Sequence, residues 1–178
     1  MRSAVLSAPK SPHAPDIDPD AELPRGLDDA VDARIENADF SNQRFVRSSI
    51  RRIELHLCRL TGVELAEATW NDVVLTDCRV DFGGFRHSKL TRVVFRDCRL
   101  EEADFAAAAL TDVVFERCEL RRASFAGCRT ERVELSGCTL LELVGVESLR
   151  GARMPWGDIL ENAPLFAQGL GIEVLAEK

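Results

Sequence analysis

The chain has 178 residues, a one-domain length, with 46% hydrophobic residues, 6% aromatics including no Tyr, and a net charge of −7. These are ordinary globular proportions. No apolar run approaches the roughly 18 residues of a membrane span, and residues 1–15 lack the apolar centre of an export signal, so a cytoplasmic location without membrane contact is expected.

The chain opens on a tail. Pro9, Pro12, Pro15, Pro19 and Pro24 crowd the N-terminus among Ala, Ser and Asp, a composition that cannot bury enough apolar surface to order itself. Residues 1–25 are therefore expected to be disordered.

From Ile35 to Leu140 every fifth residue is a large core-type side chain, Thr130 alone excepted, and no proline interrupts the run. Proline would remove ladder donors from a strand-rich coil. Two residues before each of these centres stands a mostly small or β-branched partner, such as Ala38, Val73, Cys98 or Ala123. A five-residue unit cannot bury its own apolar side chain, so the units must wind into a coil whose turns stack. Thr91-Arg92-Val93-Val94-Phe95-Arg96-Asp97-Cys98-Arg99-Leu100 recurs twenty residues later as Thr111-Asp112-Val113-Val114-Phe115-Glu116-Arg117-Cys118-Glu119-Leu120. Four units thus make one turn, and Ile35 to Leu140 spans five and a half turns. Stacked about 4.8 Å apart, these give a rod roughly 25 Å long. Each buried central Leu or Phe contributes about 1.5–3 kcal/mol before chain entropy is subtracted. Trp70 is an oversized rung, and Thr130 brings a hydroxyl that must be satisfied.

Segments such as Ala38-Asp39-Phe40-Ser41-Asn42, Ala103-Asp104-Phe105-Ala106-Ala107 and Ala123-Ser124-Phe125-Ala126-Gly127 resemble the consensus of the pentapeptide repeat family, over roughly residues 33–142. The resemblance implies an all-β fold, a right-handed quadrilateral β-helix (β-solenoid), with the central residue and the residue two before it pointing inward. Residues 26–142 are assigned to this coil.

The open end of a solenoid needs a cap, and residues 143–178 are assigned that role. Leu143, Val144, Val146 and Leu149 continue a strand-like apolar pattern out of phase with the repeat, punctuated by Gly145 and Gly151. Trp156, Ile159, Leu160, Leu165, Phe166 and Leu170 are spaced as in one or two short amphipathic helices. Pro164 should interrupt them, and Gly169 and Gly171 should end them before a short strand over 172–175. The resemblance implies that a C-terminal helix of this kind caps the coil and makes a dimer contact.

Chemistry-bearing patterns are sparse. Cys58, Cys78, Cys98, Cys118 and Cys138 recur once per turn and must stack in one column. They occupy the small inward position filled elsewhere by Ala or Val, so packing is the favoured role, ahead of metal or redox chemistry; Cys128 is read likewise. His56 and His87 lie on the coil exterior and His13 in the tail, none within a nucleophile or metal-ligand motif. Gly83-Gly84 is read as a close turn near Phe85 rather than a phosphate loop. No enzyme activity, cofactor or metal is expected.

The family's best-known activity, carried here only by resemblance, is protection or inhibition of DNA gyrase by an acidic dimer that mimics duplex DNA. Between residues 33 and 140, however, acids and bases balance at 17 each, whereas a duplex carries one negative charge per about 1.7 Å of its axis. Gyrase is therefore kept as the alternative partner. Arg51, Arg52, Arg59, Arg79 and Arg99 are expected to form a basic edge near Arg121 and Arg122, chiefly as surface ion-pair ladders. Val74, Val94 and Val114 should face outward as an apolar stripe, and Ala66, Ala106, Ala107, Ala126 and Gly127 should smooth another face. The expectation is a non-enzymatic protein-interaction solenoid that also forms a homodimer, with Val74, Val94, Val114, Leu160, Leu165, Phe166 and Leu170 as its candidate interaction residues.

Overall fold

A computed structural model describes residues 7–17 and 26–175. Its centre is one parallel sheet of seven strands: β1 (Val31–Glu36), β2 (Ser49–His56), β3 (Thr69–Thr76), β4 (Lys89–Arg96), β5 (Ala109–Glu116), β6 (Arg129–Glu131) and β7 (Glu134–Ser136). Partners lie twenty residues apart throughout: Ile50 faces Trp70, Trp70 faces Leu90, and Leu90 faces Leu110. Each eight-residue strand carries two central residues and so covers two adjacent sides of the coil. The other two sides are held by single parallel bridges, such as Arg59 to Arg79 to Arg99 and Glu64 to Gly84 to Asp104.

The five-residue period becomes a four-sided coil through its backbone. Every residue two positions past a centre, from Asp32 to Glu142, has positive φ, among them Leu57 at 53°, Phe82 at 59° and Arg92 at 53°. That region costs an L-residue about 1–2 kcal/mol. Closing the coil repays this cost by burying the central side chains in one continuous core.

Aromatic rings fill that core in two axial stacks. Phe85, Phe105 and Phe125 lie 4.7 and 5.1 Å apart, and Phe95 stacks on Phe115 at 5.0 Å. Contacts between the stacks are edge-on, as between Phe105 and Phe115 at 5.7 Å, the geometry that the ring quadrupole favours. Trp70 is fully buried and meets Phe85 edge-on at 5.5 Å. The glycine pair beside it has a different role from the close turn expected: the corner residue is Phe82, and Gly83 takes the small inward position. A Cβ there would sit 3.0 Å from the Phe85 ring and from Val80 Cγ1, so Gly83 leaves room for the large rings. Among the described residues Trp70 Nε1 and Ser48 Oγ are buried without a partner.

At the C-terminal end the coil keeps its phase further than expected. Leu143 is buried in the inward position, and Val144 bridges to Ser124. Gly145 then stands where a central side chain would, at φ 78°. A Cβ on it would lie only 2.5 Å from Ala126 Cα. The chain turns away there, so Val146–Leu149 forms a 3-10 turn instead of continuing a strand-like pattern. Thr130 finds its partner in this turn, donating to the Ser148 carbonyl at 3.1 Å. Two short helices follow, α1 (Trp156–Glu161) and α2 (Ala163–Gly169). Pro164 sits in the first turn of α2 and so opens that helix instead of interrupting one, since its missing N–H would be unpaired there anyway. Residues 172–175 form no strand. Asp158 of α1 ties the cap to the coil by accepting the Gly137 N–H at 2.6 Å. No helix among the described residues is long and apolar enough to cross a membrane.

Candidate interaction surfaces

Stacking in register turns each outward position into a column that runs along the rod. The column containing the valines reads Arg34, Glu54, Val74, Val94, Val114, Glu134, Arg153. An ion pair closes each end: Arg34 with Glu54 at 2.7 Å and Arg153 with Glu134 at 3.6 Å. The stripe therefore lies in register on one face, three rungs long. Its middle is largely covered, with Val94 only 9% exposed. In the adjacent column Arg96 pairs with Glu116 at 2.7 Å.

The predicted cap residues divide between two environments. Leu165 and Phe166 of α2 pack against the core, whereas Leu160 and Leu170 point outward. With them Trp156 is 71% exposed, and Leu141, Val144, Ile172, Val174 and Leu175 are also exposed. Between the 3-10 turn and the helices lies a cleft of about 380 Å³, lined mainly by Val146, Leu149, Ala152, Met154, Ile159, Phe166 and Leu170. The large exposed apolar side chains of the described residues are thus concentrated at this end of the rod.

The cysteine column forms as the spacing requires, and all six cysteines are free thiols. Each column thiol lies against two backbone carbonyls, as Cys98 does with Leu75 at 3.6 Å and Arg96 at 3.2 Å. Within the column Cys98, as donor to Cys118 and Cys78 and by burial, is pushed well above the ordinary thiol range, while Cys78 and Cys118, as acceptors, are drawn below it. Burial likewise pushes Cys128 up to about 11. Thiolate is the reactive form, so Cys98 and Cys128 suit packing better than redox or metal chemistry.

The basic edge is narrower than the sequence implied. Arg59, Arg79 and Arg99 share a column, but Arg52 belongs to a separate corner. Arg99 pairs with Glu119 of the same column at 3.3 Å and with Asp81 of the adjacent one at 3.6 Å.

The corner that holds Arg52 was not foreseen. Its successive rungs are Asp32, Arg52, Asp72, Arg92, Asp112 and Arg132, with strictly alternating charge. Each Arg forks onto the Asp one rung earlier: Arg92 reaches Asp72 at 2.6 and 2.8 Å, and Arg132 reaches Asp112 at 2.6 and 2.9 Å. Bidentate pairs of this kind are strong and fix the carboxylate plane. The Arg92 guanidinium, opposed by partial burial, holds the Asp72 carboxyl down to about 2, and that of Arg52 does the same for Asp32. Residues 7–17, placed by composition in an unstructured tail, lie along this corner instead. Their backbone N–H groups donate to its carboxylates: Lys10 to Asp112 at 2.9 Å, His13 to Asp72 at 2.9 Å, and Asp16 to Asp32 at 3.1 Å. The remaining residues of that tail fall outside the described ones.

Comparison with known proteins bears on the coil. Residues 82–144 match the family model described as a pentapeptide repeat region. No curated protein matches the sequence. Among solved structures the chain is similar to QnrB1, a plasmid-mediated fluoroquinolone resistance protein, at 21% identity and a TM-score of 0.42, covering 86% of this chain and 94% of that one. It is similar also to HetL, a pentapeptide repeat protein involved in heterocyst differentiation regulation from the cyanobacterium Nostoc sp. strain PCC 7120, at 17% identity and a TM-score of 0.41, covering 70% and 65% of the two chains. A pentapeptide repeat protein from the Arabidopsis thaliana thylakoid lumen aligns at 17% identity and a TM-score of 0.32, covering 77% and 73%. The match to the pentapeptide repeat model spans residues 82–144, and the same five-residue backbone geometry runs from Asp32 to Glu142.

Proposed function

We propose that this protein is a non-enzymatic interaction module that binds protein through the C-terminal end of its coil, and that a second copy of the chain occupies that end. The observation that carries this reading is the exposure of Trp156, Leu160 and Leu170 beside the apolar cleft. Apolar side chains in one patch mark association surfaces, and self-association through a single patch closes as a two-fold dimer. The valine stripe enters as a minor contact, since Val74 and Val114 keep partial exposure while Val94 keeps little.

The alternative, a duplex mimic directed at gyrase, asks for an uncompensated acidic strip. Many outward carboxylates of the coil are instead paired with arginines, as in Arg47 with Glu67 at 3.0 Å and Arg122 with Glu102 at 2.7 Å.

Sedimentation equilibrium tests the proposal. The wild-type chain should behave as a dimer and the double variant Leu160→Asp, Leu170→Asp as a monomer with an unchanged far-UV spectrum. A wild-type chain that stays monomeric at all concentrations would remove the second copy from the reading.

A further inference from the structure

Residues 7–17 and the alternating corner fit each other by period. The three backbone donors are three residues apart, at Lys10, His13 and Asp16, and each immediately follows a proline. Their acceptors, Asp112, Asp72 and Asp32, are each two rungs apart. Two rungs advance about 9.6 Å along the rod, and three residues of polyproline II advance about 9.3 Å. Burial repeats with the same period: Pro9, Pro12 and Pro15 are half-buried, while the residues between them are exposed. A flat strand, whose period is two, would turn successive members of such a series to opposite sides. A three-residue helix turns them all to one side, and proline pre-sets its φ.

The corner is equally specific in what it offers. Each Asp is clamped by an Arg through both of its oxygens, which leaves Oδ1 to accept one further N–H. Alternate rungs are Arg, so acceptors recur at every second rung and at no other. The series ends after three, because the Glu134–Arg153 bridge puts Gly151 at the position two rungs beyond Asp112. The tail matches this number, since Pro9, Pro12 and Pro15 keep the spacing of three and Pro19 breaks it.

We propose that this corner is a binding groove for a proline-rich segment in polyproline II conformation, one Pro-x-x triplet to each pair of rungs, and that residues 7–17 are its resident ligand. Recognition runs through the backbone. The residue after each proline supplies the N–H, the proline ring faces the coil, and the third residue of the triplet faces solvent. Side-chain identity adds a contact at the middle acceptor, where His13 Nδ1 lies 3.1 Å from Asp72 Oδ1. The groove is distinct from the C-terminal end, and its assignment does not depend on the dimer.

Amide hydrogen exchange on the full chain, read by NMR, tests this. Lys10, His13 and Asp16 should exchange at least about tenfold more slowly than Ser11 and Ala14, the worth of one hydrogen bond to a charged acceptor. Inserting one glycine between Ser11 and Pro12 leaves the coil untouched and breaks the register. Protection should then survive on only one side of the insertion, at Lys10 alone or at His13 and Asp16 together. Asp72→Ala should release His13 in particular. Uniform exchange across residues 10–16 in the wild-type chain, protection of alternate residues, or three protected amides in the insertion variant would each overturn the assignment. None of these outcomes bears on self-association, which the sedimentation experiment reads separately.

Discussion

Two glycines with nearly the same backbone conformation separate the cost of dihedral strain from the cost of space. Gly127 has φ 67° and nothing within 4 Å of an added Cβ, and the same corner one rung earlier is already an alanine, Ala107 at φ 57°. For Gly127→Ala the left-handed conformation costs about 1–2 kcal/mol, and the lost freedom of the unfolded chain returns about 0.4–1. The net loss should be about 0–1.6 kcal/mol. Gly145 has φ 78°, but its Cβ would lie 2.5 Å from Ala126 Cα and 2.7 Å from the Phe125 carbonyl carbon. Restoring ordinary contact needs a shift of about 1 Å between two backbones, an overpacking cost of about 1–3 kcal/mol added to the strain. Gly145→Ala should therefore lose about 2–4 kcal/mol in urea unfolding, or lift the cap off the coil in a local opening. Limited proteolysis within residues 146–170 would show the second result. Equal and small losses for the two variants, with the cap equally resistant, would refute the close approach and with it the account of why the coil ends at Gly145.

Acid should act on the Arg-clamped carboxylates. Asp32 and Asp72 titrate at about 2 in the folded chain against 3.8 ordinarily, so their contribution is complete above about pH 4 and is lost as pH falls toward 2. The thermal midpoint should fall over that interval, and a midpoint that holds or rises there would contradict the clamp. Supercoiling by gyrase, titrated with the protein in the presence and absence of a fluoroquinolone, should be unchanged. Inhibition, or relief of the drug's effect, would establish the alternative partner despite the paired charges.

The coil was legible in the sequence because a period of five cannot be met by a helix or a flat strand, and the inward residues from Ile35 to Leu140 declare it one by one. The conformation of the corners was not. Residues as unlike as Leu57, Phe82 and Arg92 adopt positive φ there, imposed by closure of the turn against local preference; the Asn, Asp and Gly at other corners were the faint signal. Gly145 escaped the apolar pattern because its role is an absence of side chain at a place where only the next turn's backbone shows the crowding. The tail was misjudged by weighing its composition without its spacing. Its three prolines carry a period, but that period acquires meaning only against a corner whose acceptors come from residues 40 and 80 positions apart in the chain. Of the predicted contact residues, Leu165 and Phe166 could not be told from Leu160 and Leu170 by helical spacing alone, because the pattern runs through two short helices and Leu170 lies just past the end of the second.

Stacked repeats touch only their immediate neighbours, so a coil of this kind unfolds much like a one-dimensional chain of coupled units, free to fray from either end. Residues 7–17 break that rule. By bonding to Asp112, Asp72 and Asp32 at once, they join the first strand to the fifth without passing through the rungs between. An axial tie of this kind makes opening at one end felt at the other, and it turns a row of nearest-neighbour couplings into a more nearly all-or-none unit.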